Sequence, residues 1–219
     1  MTTLTTPPLS TLLPKLLADA EATSRQMPQF SPEEREKLMT STTDYQALYS
    51  RMKDFHLAVS PETGKMLYML ARATEAHTIV EFGTSFGVSA LHLAAALRDN
   101  GGGRLISTEF ELSKVARARE NLAAAGLSDL VEIREGDALE TLAHDLPEAI
   151  DLVLLDGAKP LYPRVLSLIE KRLRVRALIV ADNADWCADY LSRVRSPNGG
   201  YLSVPFAEDV ELSMKLGLS

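Results

Sequence analysis

Asp156 closes the apolar run IDLVLLD, and Asp182 and Asn183 close the run ALIVADN, so two strand-like segments end in three hard oxygen donors. Such donors suit Mg²⁺ or Ca²⁺ and are poor ligands for a soft metal. Three protein oxygens leave room on the cation for water and for a substrate that binds through two oxygens. Lys159 stands shortly after Asp156, in LDGAKPLY. A cation acidifies a bound hydroxyl. A lysine near the same charge has its protonated form disfavoured, which makes Lys159 the candidate general base. Plainer readings stay open: Lys159 as a surface lysine opening a helix, and Asp182 with Asn183 as caps of the next helix.

The other strand-like runs also end in polar groups. TIVEF delivers Glu81 and a glycine turn with Gly83 and Gly87; RLISTE delivers Glu109; VEIREG leads to Gly136 and Asp137. Taken singly, Glu109 also reads as a capping or solvated loop acid and Asp137 as a turn former. The turn lacks the third glycine of a dinucleotide fingerprint, with Ser89 in its place, and the strand carries an acid. A pyrophosphate calls for the full glycine pattern and an anion-seeking helix start. Acidic surroundings instead favour a cationic, phosphate-free nucleoside. S-adenosylmethionine is such a ligand: its sulfonium and ammonium pair with carboxylates, and its ribose diol suits Glu109, placed about twenty residues after the turn as a ribose acceptor is. A glycine turn kept only for tight strand-to-helix packing is the alternative.

These residues must be held by an alternation of short apolar runs and amphipathic segments, which begins at Thr78. Nearly continuous apolar strands separated by helices such as LSKVARARENLAAAG and YPRVLSLIEKRL predict a parallel sheet covered on both faces. YLSVPF and VELSMKL, joined by AED, predict a terminal hairpin and an antiparallel edge. Residues 1–55 read as a helical N-terminal extension, a lid or dimer contact, and residues 56–219 as the main domain. Helix starts are expected at SPEEREKL, where Ser31 caps and Pro32 fits the first turn, and at SPETGKMLYMLARA, where Ser60 caps and Met66, Leu67, Leu70 and Ala71 form the apolar stripe.

A chain of 219 residues, 46% hydrophobic, supports one α/β domain with a full core and some extra helix. The net charge of -7 argues against a partner held mainly through phosphates, so nucleic acid is not the expected ligand. A single cysteine, Cys187, excludes an intrachain disulfide and makes a reducing cytoplasm the simplest compartment. The start MTTLTTPPLSTLLPKLL has no basic segment and is broken by prolines, unlike a signal peptide. No apolar run approaches a membrane span.

Together VEFGTSFGVSAL, STEFELSKVARARENLAAAGL, DLVLLDGAKPLY and LIVADN resemble the cation-dependent class I O-methyltransferases, the family of catechol and caffeoyl-CoA O-methyltransferases, over roughly residues 56 to 183. The resemblance implies a Rossmann-like, seven-stranded, mostly parallel sheet with a reversed terminal hairpin. It implies S-adenosyl-L-methionine held by Glu81, Gly83, Ser89, Glu109, Asp137 and Asp156. It also implies a divalent cation, Mg²⁺ or another, on Asp156, Asp182 and Asn183, with Lys159 as base. AVSPETG resembles the family's cofactor lid, which implicates Val59. Two departures stand out: RVRAL replaces a glycine pair before the DN strand, and the short stretch after Asn183 lacks the inserted loop that shapes the acceptor pocket and adds a second acid. Trp186 reads either as a wall of that pocket or as a core residue. The expected activity is methyl transfer to a hydroxyl of a small catechol-like or phenolic acceptor, by a homodimer. The rivals are a metal-independent methyltransferase of the same fold, a tRNA hydroxyuridine methyltransferase using the arginines at 172, 174, 176, 193 and 195, a non-catalytic adenosine-ligand binding protein and, least favoured, a nicotinamide oxidoreductase.

Overall fold

Strands buried on both faces take continuous apolar runs, and in this chain those runs assemble into one seven-stranded sheet. The computed structural model describes residues 1–206 and 209–217. The sheet comprises β1 (Thr78–Phe82), β2 (Arg104–Glu109), β3 (Val131–Glu135), β4 (Ile150–Leu155), β5 (Leu173–Ala181), β6 (Tyr201–Pro205) and β7 (Glu211–Lys215). Their order is β3-β2-β1-β4-β5-β7-β6. The first five pair in parallel, and β7 pairs antiparallel with both β5 and β6. This is the α/β architecture with a C-terminal antiparallel hairpin that the sequence predicts. Within the AED link, Ala207 and Glu208 lie outside the described residues.

The helices are α1 (Leu9–Ser24), α2 (Pro32–Thr40), α3 (Tyr45–Ser50), α4 (Pro61–Ala73), α5 (Val88–Asp99), α6 (Leu112–Ala124), α7 (Ala138–Thr141), α8 (Tyr162–Ile169) and α9 (Ala188–Val194). Both expected starts are formed as read. Ser31 accepts from the Glu34 amide with a reciprocal capping box, and Ser60 accepts from the Thr63 amide. Along β4, Leu152 and Leu154 join a core with α4, α5 and α6, while Val153 and Leu155 join a second core with α8 and α9. Side chains alternate across a strand, so this split places helices on both faces.

β5 begins at Leu173, before the apolar run that announces it. Its register against β4 jumps from the pair Ile150/Leu173 to Leu152/Leu178, and Arg176 inside the bulge has φ 71°. RVRAL thus occupies the position of the expected glycine pair while keeping a left-handed residue, at a cost of about 1–2 kcal/mol for a side chain other than glycine.

In the N-terminal segment, α1 buries Leu9, Leu13 and Leu16 at helical spacing against the α4–α5 core. The Asp99 carboxylate fixes the approach, accepting from the Thr3 amide at 3.0 Å and the Tyr68 hydroxyl at 2.6 Å. α1 is therefore a packed layer of the main core. Leu9 is 1% exposed, so Leu9→Ala is expected to lower the unfolding free energy by about 2–4 kcal/mol in urea titration. A loss below about 0.5 kcal/mol would mean that α1 is not part of the cooperative unit.

Candidate functional site

The strand order reverses between β2-β1 and β4-β5, and a cleft of about 630 Å³ opens beside the carboxyl ends at that point. Open α/β sheets bind ligands there. Gly83, Glu109, Asp137 and Asp156 all line it.

The glycine turn lets the backbone of β1 pass close to that of β4. Gly83 has φ +105°, and a Cβ there would stand 2.6 Å from the Asp156 carbonyl oxygen. Beneath the turn, Glu81 is fully buried and accepts from the Ser89 and Ser107 hydroxyls. Burial pushes its carboxyl up from 4.5 to about 7, against the two serine hydrogen bonds. Ser89 therefore acts on Glu81 and does not line the main cleft.

Glu109 is buried, which removes the solvated-acid reading. Its carboxylate accepts from the Ser85 amide at 2.9 Å and the Glu111 amide at 3.0 Å, and burial raises its pKa against those bonds. Asp137 does cap a helix, its Oδ1 accepting from the Leu139 amide at 2.8 Å. Its Oδ2 faces α3 and accepts from the Tyr45 hydroxyl and, at 3.4 Å, from Gln46 Nε2. Burial and this acid push the Tyr45 hydroxyl up to about 12, so Tyr45 stays a neutral donor.

Lys159 is buried, not a surface lysine, and its ammonium lies 2.9 Å from Asp156 Oδ1. Burial disfavours that charge, but Tyr162, Asp156 and Tyr49 outweigh it and hold the lysine well above its ordinary range. Burial raises Asp156 against the pull of Lys159. Asp182, hydrogen-bonded to Asp156, is pushed up to about 7 by burial and by that neighbour. Two neighbouring carboxyl groups whose ionisation burial opposes are a donor pair that a divalent cation would stabilise in the charged form. Asn183 adds to it: its backbone is left-handed at φ 48°, and its Nδ2 donates to Asp209 Oδ2 at 3.0 Å, leaving the amide oxygen for another partner. Its side chain makes no cap, contrary to the capping alternative. Among the described residues no cluster of three or more histidine, cysteine or acidic side chains forms a metal site, so the set is two carboxyls and one amide.

Val59 is buried in the α4–α5 core, and Leu57, two residues earlier, lines the cleft instead. Trp186 is 46% exposed, so it is not a core residue. Four contributors were not legible in the sequence. Tyr45 and Tyr49 reach the cleft from α3, Lys114 reaches it from α6, and Asp209 reaches Asn183 from the hairpin. Each contact joins residues far apart in the chain or, for Lys114, depends on which helix face turns inward. The acidic AED link was the one available signal.

Comparison with known proteins agrees with this arrangement. The family described as a methyltransferase domain matches residues 80–184. A catechol O-methyltransferase of Niastella koreensis is 38% identical over 130 residues, 58% of this chain and 58% of the relative. One of Mycobacterium tuberculosis is 35% identical over 127 residues, 58% of this chain and 57% of the relative. The match thus spans under two thirds of the length of these curated relatives. The solved O-methyltransferase TomG of Streptomyces achromogenes, in complex with S-adenosylmethionine, is 27% identical with a TM-score of 0.64, covering 92% of this chain and 96% of that one. An O-methyltransferase of Bacillus cereus with S-adenosylhomocysteine, 22% identical with a TM-score of 0.65 over 94% of this chain and 100% of that one, shares the fold. The fold is the Rossmann-like fold of these solved structures, and residues 80–184 match the methyltransferase-domain family. Within that class, the chain is similar to curated catechol O-methyltransferases over part of its length and to a solved O-methyltransferase with bound S-adenosylmethionine over most of it.

The buried acid sets a pH dependence. Between 4.5 and about 7 the folded state keeps a proton on Glu81 that the unfolded chain releases. Its contribution to stability is therefore lost as pH rises through that window, and levels off above it. Glu81→Gln is expected to gain on the wild type between pH 5 and pH 8, by on the order of 3 kcal/mol in urea titration. A difference independent of pH would show Glu81 ionised in the ligand-free fold.

Proposed function

We propose that this chain is an S-adenosylmethionine-dependent O-methyltransferase acting on a hydroxyl of a small catechol-like or phenolic acceptor, assisted by a divalent cation. The observation that carries the reading is the position of Asp156. It lines the cleft, and its carboxyl also touches Lys159 and Asp182, so one side chain joins the cofactor space to the oxygen donors and the lysine.

In this reading Glu109 takes the ribose diol, Asp137 lies at the adenine end, and Glu81 beneath the turn would give up its proton when the cationic end of the cofactor approaches. Asp156, Asp182 and the Asn183 amide oxygen would hold the cation, which supplies acidification and orientation of an acceptor diol. Lys159 then takes the hydroxyl proton. The acceptor oxygen attacks the methyl carbon in line, the carbon–sulfur bond breaks, and S-adenosylhomocysteine leaves with both electrons of that bond. Lys159 needs the Asp156 carboxylate to be engaged elsewhere before it can lose its own proton, so the lysine and the donor set act together. Asp209 positions Asn183 through its side chain and accepts from the Ala184 amide at 2.7 Å.

Several observations favour a small acceptor over tRNA. Three of the five arginines in question are neutralised in ion pairs: Arg174 with Asp151, Arg193 with Glu170, and Arg195 with Glu211. Among the described residues no helix is long and apolar enough to cross a membrane. Leu202 and Val204 on the edge strand β6 are more than half exposed, an apolar strip that supports pairing with a second copy.

S-adenosylhomocysteine is expected to raise the melting temperature, and Mg²⁺ to add to that shift. Lys159→Ala and Asp156→Ala are each expected to cut methyl transfer to catechol by about 100-fold or more. Turnover unchanged in both variants would sink the mechanism. Full activity in EDTA would replace it with the metal-independent version.

A further inference from the structure

The cleft contains a buried cation that methyl transfer as described leaves unused. Lys114 on α6 is 4% exposed and lines the cleft beside Glu109. Among the described residues its ammonium has one hydrogen bond, a long one to the Ser85 hydroxyl at 3.5 Å, and no ion pair within 4.0 Å. It also lies 5.6 Å from the centre of the Phe86 ring. Burial pushes its pKa down, with Glu109 and then Glu111 pulling the other way. An ammonium has three hydrogens to donate, and leaving them unmet away from water is costly. A lysine whose role was only structural would be expected to close on a carboxylate.

Ser85 explains why it does not. The Ser85 amide occupies Glu109 Oε2 at 2.9 Å, and the Ser85 hydroxyl accepts from the Leu57 amide at 3.3 Å. The serine therefore stands between the two charges, with both facing the same space in the cleft. Glu109 offers only acceptors, and Lys114 offers only donors. A hydroxyl group is both donor and acceptor, so a pair of neighbouring hydroxyls satisfies the two side chains at once.

We propose that Lys114 is a cofactor-contacting residue that donates to a ribose hydroxyl oxygen while Glu109 accepts the hydrogens of the same diol. This rests on the reading of the cleft as an adenosyl site and adds a selectivity to it. A ligand without the diol leaves a buried ammonium unpaired, so the site discriminates against deoxyribose through Lys114 as well as through Glu109.

The test is isothermal titration of wild type, Lys114→Met and Lys114→Arg with 5′-methylthioadenosine, its 2′,3′-dideoxy counterpart and S-adenosylhomocysteine. The wild type is expected to prefer the diol over the dideoxy ligand, and Lys114→Met to reduce that preference roughly tenfold. Lys114→Met should weaken S-adenosylhomocysteine and methylthioadenosine by the same factor, with partial recovery in Lys114→Arg. The preference is a ratio taken within one protein, so a general loss of stability cancels. An unchanged preference in Lys114→Met overturns the proposal. A loss confined to S-adenosylhomocysteine also overturns it, because it would move the contact to the amino-acid carboxylate. If the wild type binds none of the three ligands, the adenosyl reading of the cleft fails and this inference falls with it.

Discussion

Four acids, Glu81, Glu109, Asp156 and Asp182, are gathered at or just beyond the carboxyl ends of four adjacent parallel strands, where burial opposes their ionisation. Everything near the cleft answers to that constraint. Serine hydroxyls hold Glu81, backbone amides hold Glu109, Lys159 holds Asp156, and Asp156 neighbours Asp182. A cationic ligand on one side and a divalent cation on the other would each relieve part of the same repulsion. Under the proposed function, cofactor binding and acceptor activation would be two consequences of one electrostatic arrangement.

Parallel topology is what makes the gathering possible. Strands that all run the same way deliver their last residues to one edge, and the reversal of order between β1 and β4 leaves an open crevice there. The two glycines at the crevice are steric requirements: Gly83 admits the β4 backbone, and a Cβ on Gly157 would collide with the Phe82 ring. Substituting either would move Asp156, the residue shared by both halves of the site.

The N-terminal segment and the terminal hairpin complete the cleft from outside the sheet's parallel part. α1 is packed into the core, while α3 presents Tyr45 to Asp137 and Tyr49 toward Lys159. The hairpin brings Asp209 to Asn183. An acid thus reaches this side from the link between β6 and β7.

Much of the candidate site could be read along the chain, because parallel strands advertise themselves as apolar runs and the polar residues at their carboxyl ends follow directly. Glu81, Gly83, Glu109, Asp137, Asp156, Lys159, Asp182 and Asn183 were legible for that reason, and so was the double-sided sheet. The tertiary structure decided what depends on distance across the fold. It placed Ser89 under Glu81, put Leu57 rather than the Val59 side chain at the cleft, exposed Trp186, and paired three of the five arginines with acids. It also brought Tyr45, Tyr49 and Lys114 to a site that their local sequence does not mark. Strand ends are specified by short-range pattern, whereas the helix face that turns inward and the loop that folds back are chosen by packing of the whole core.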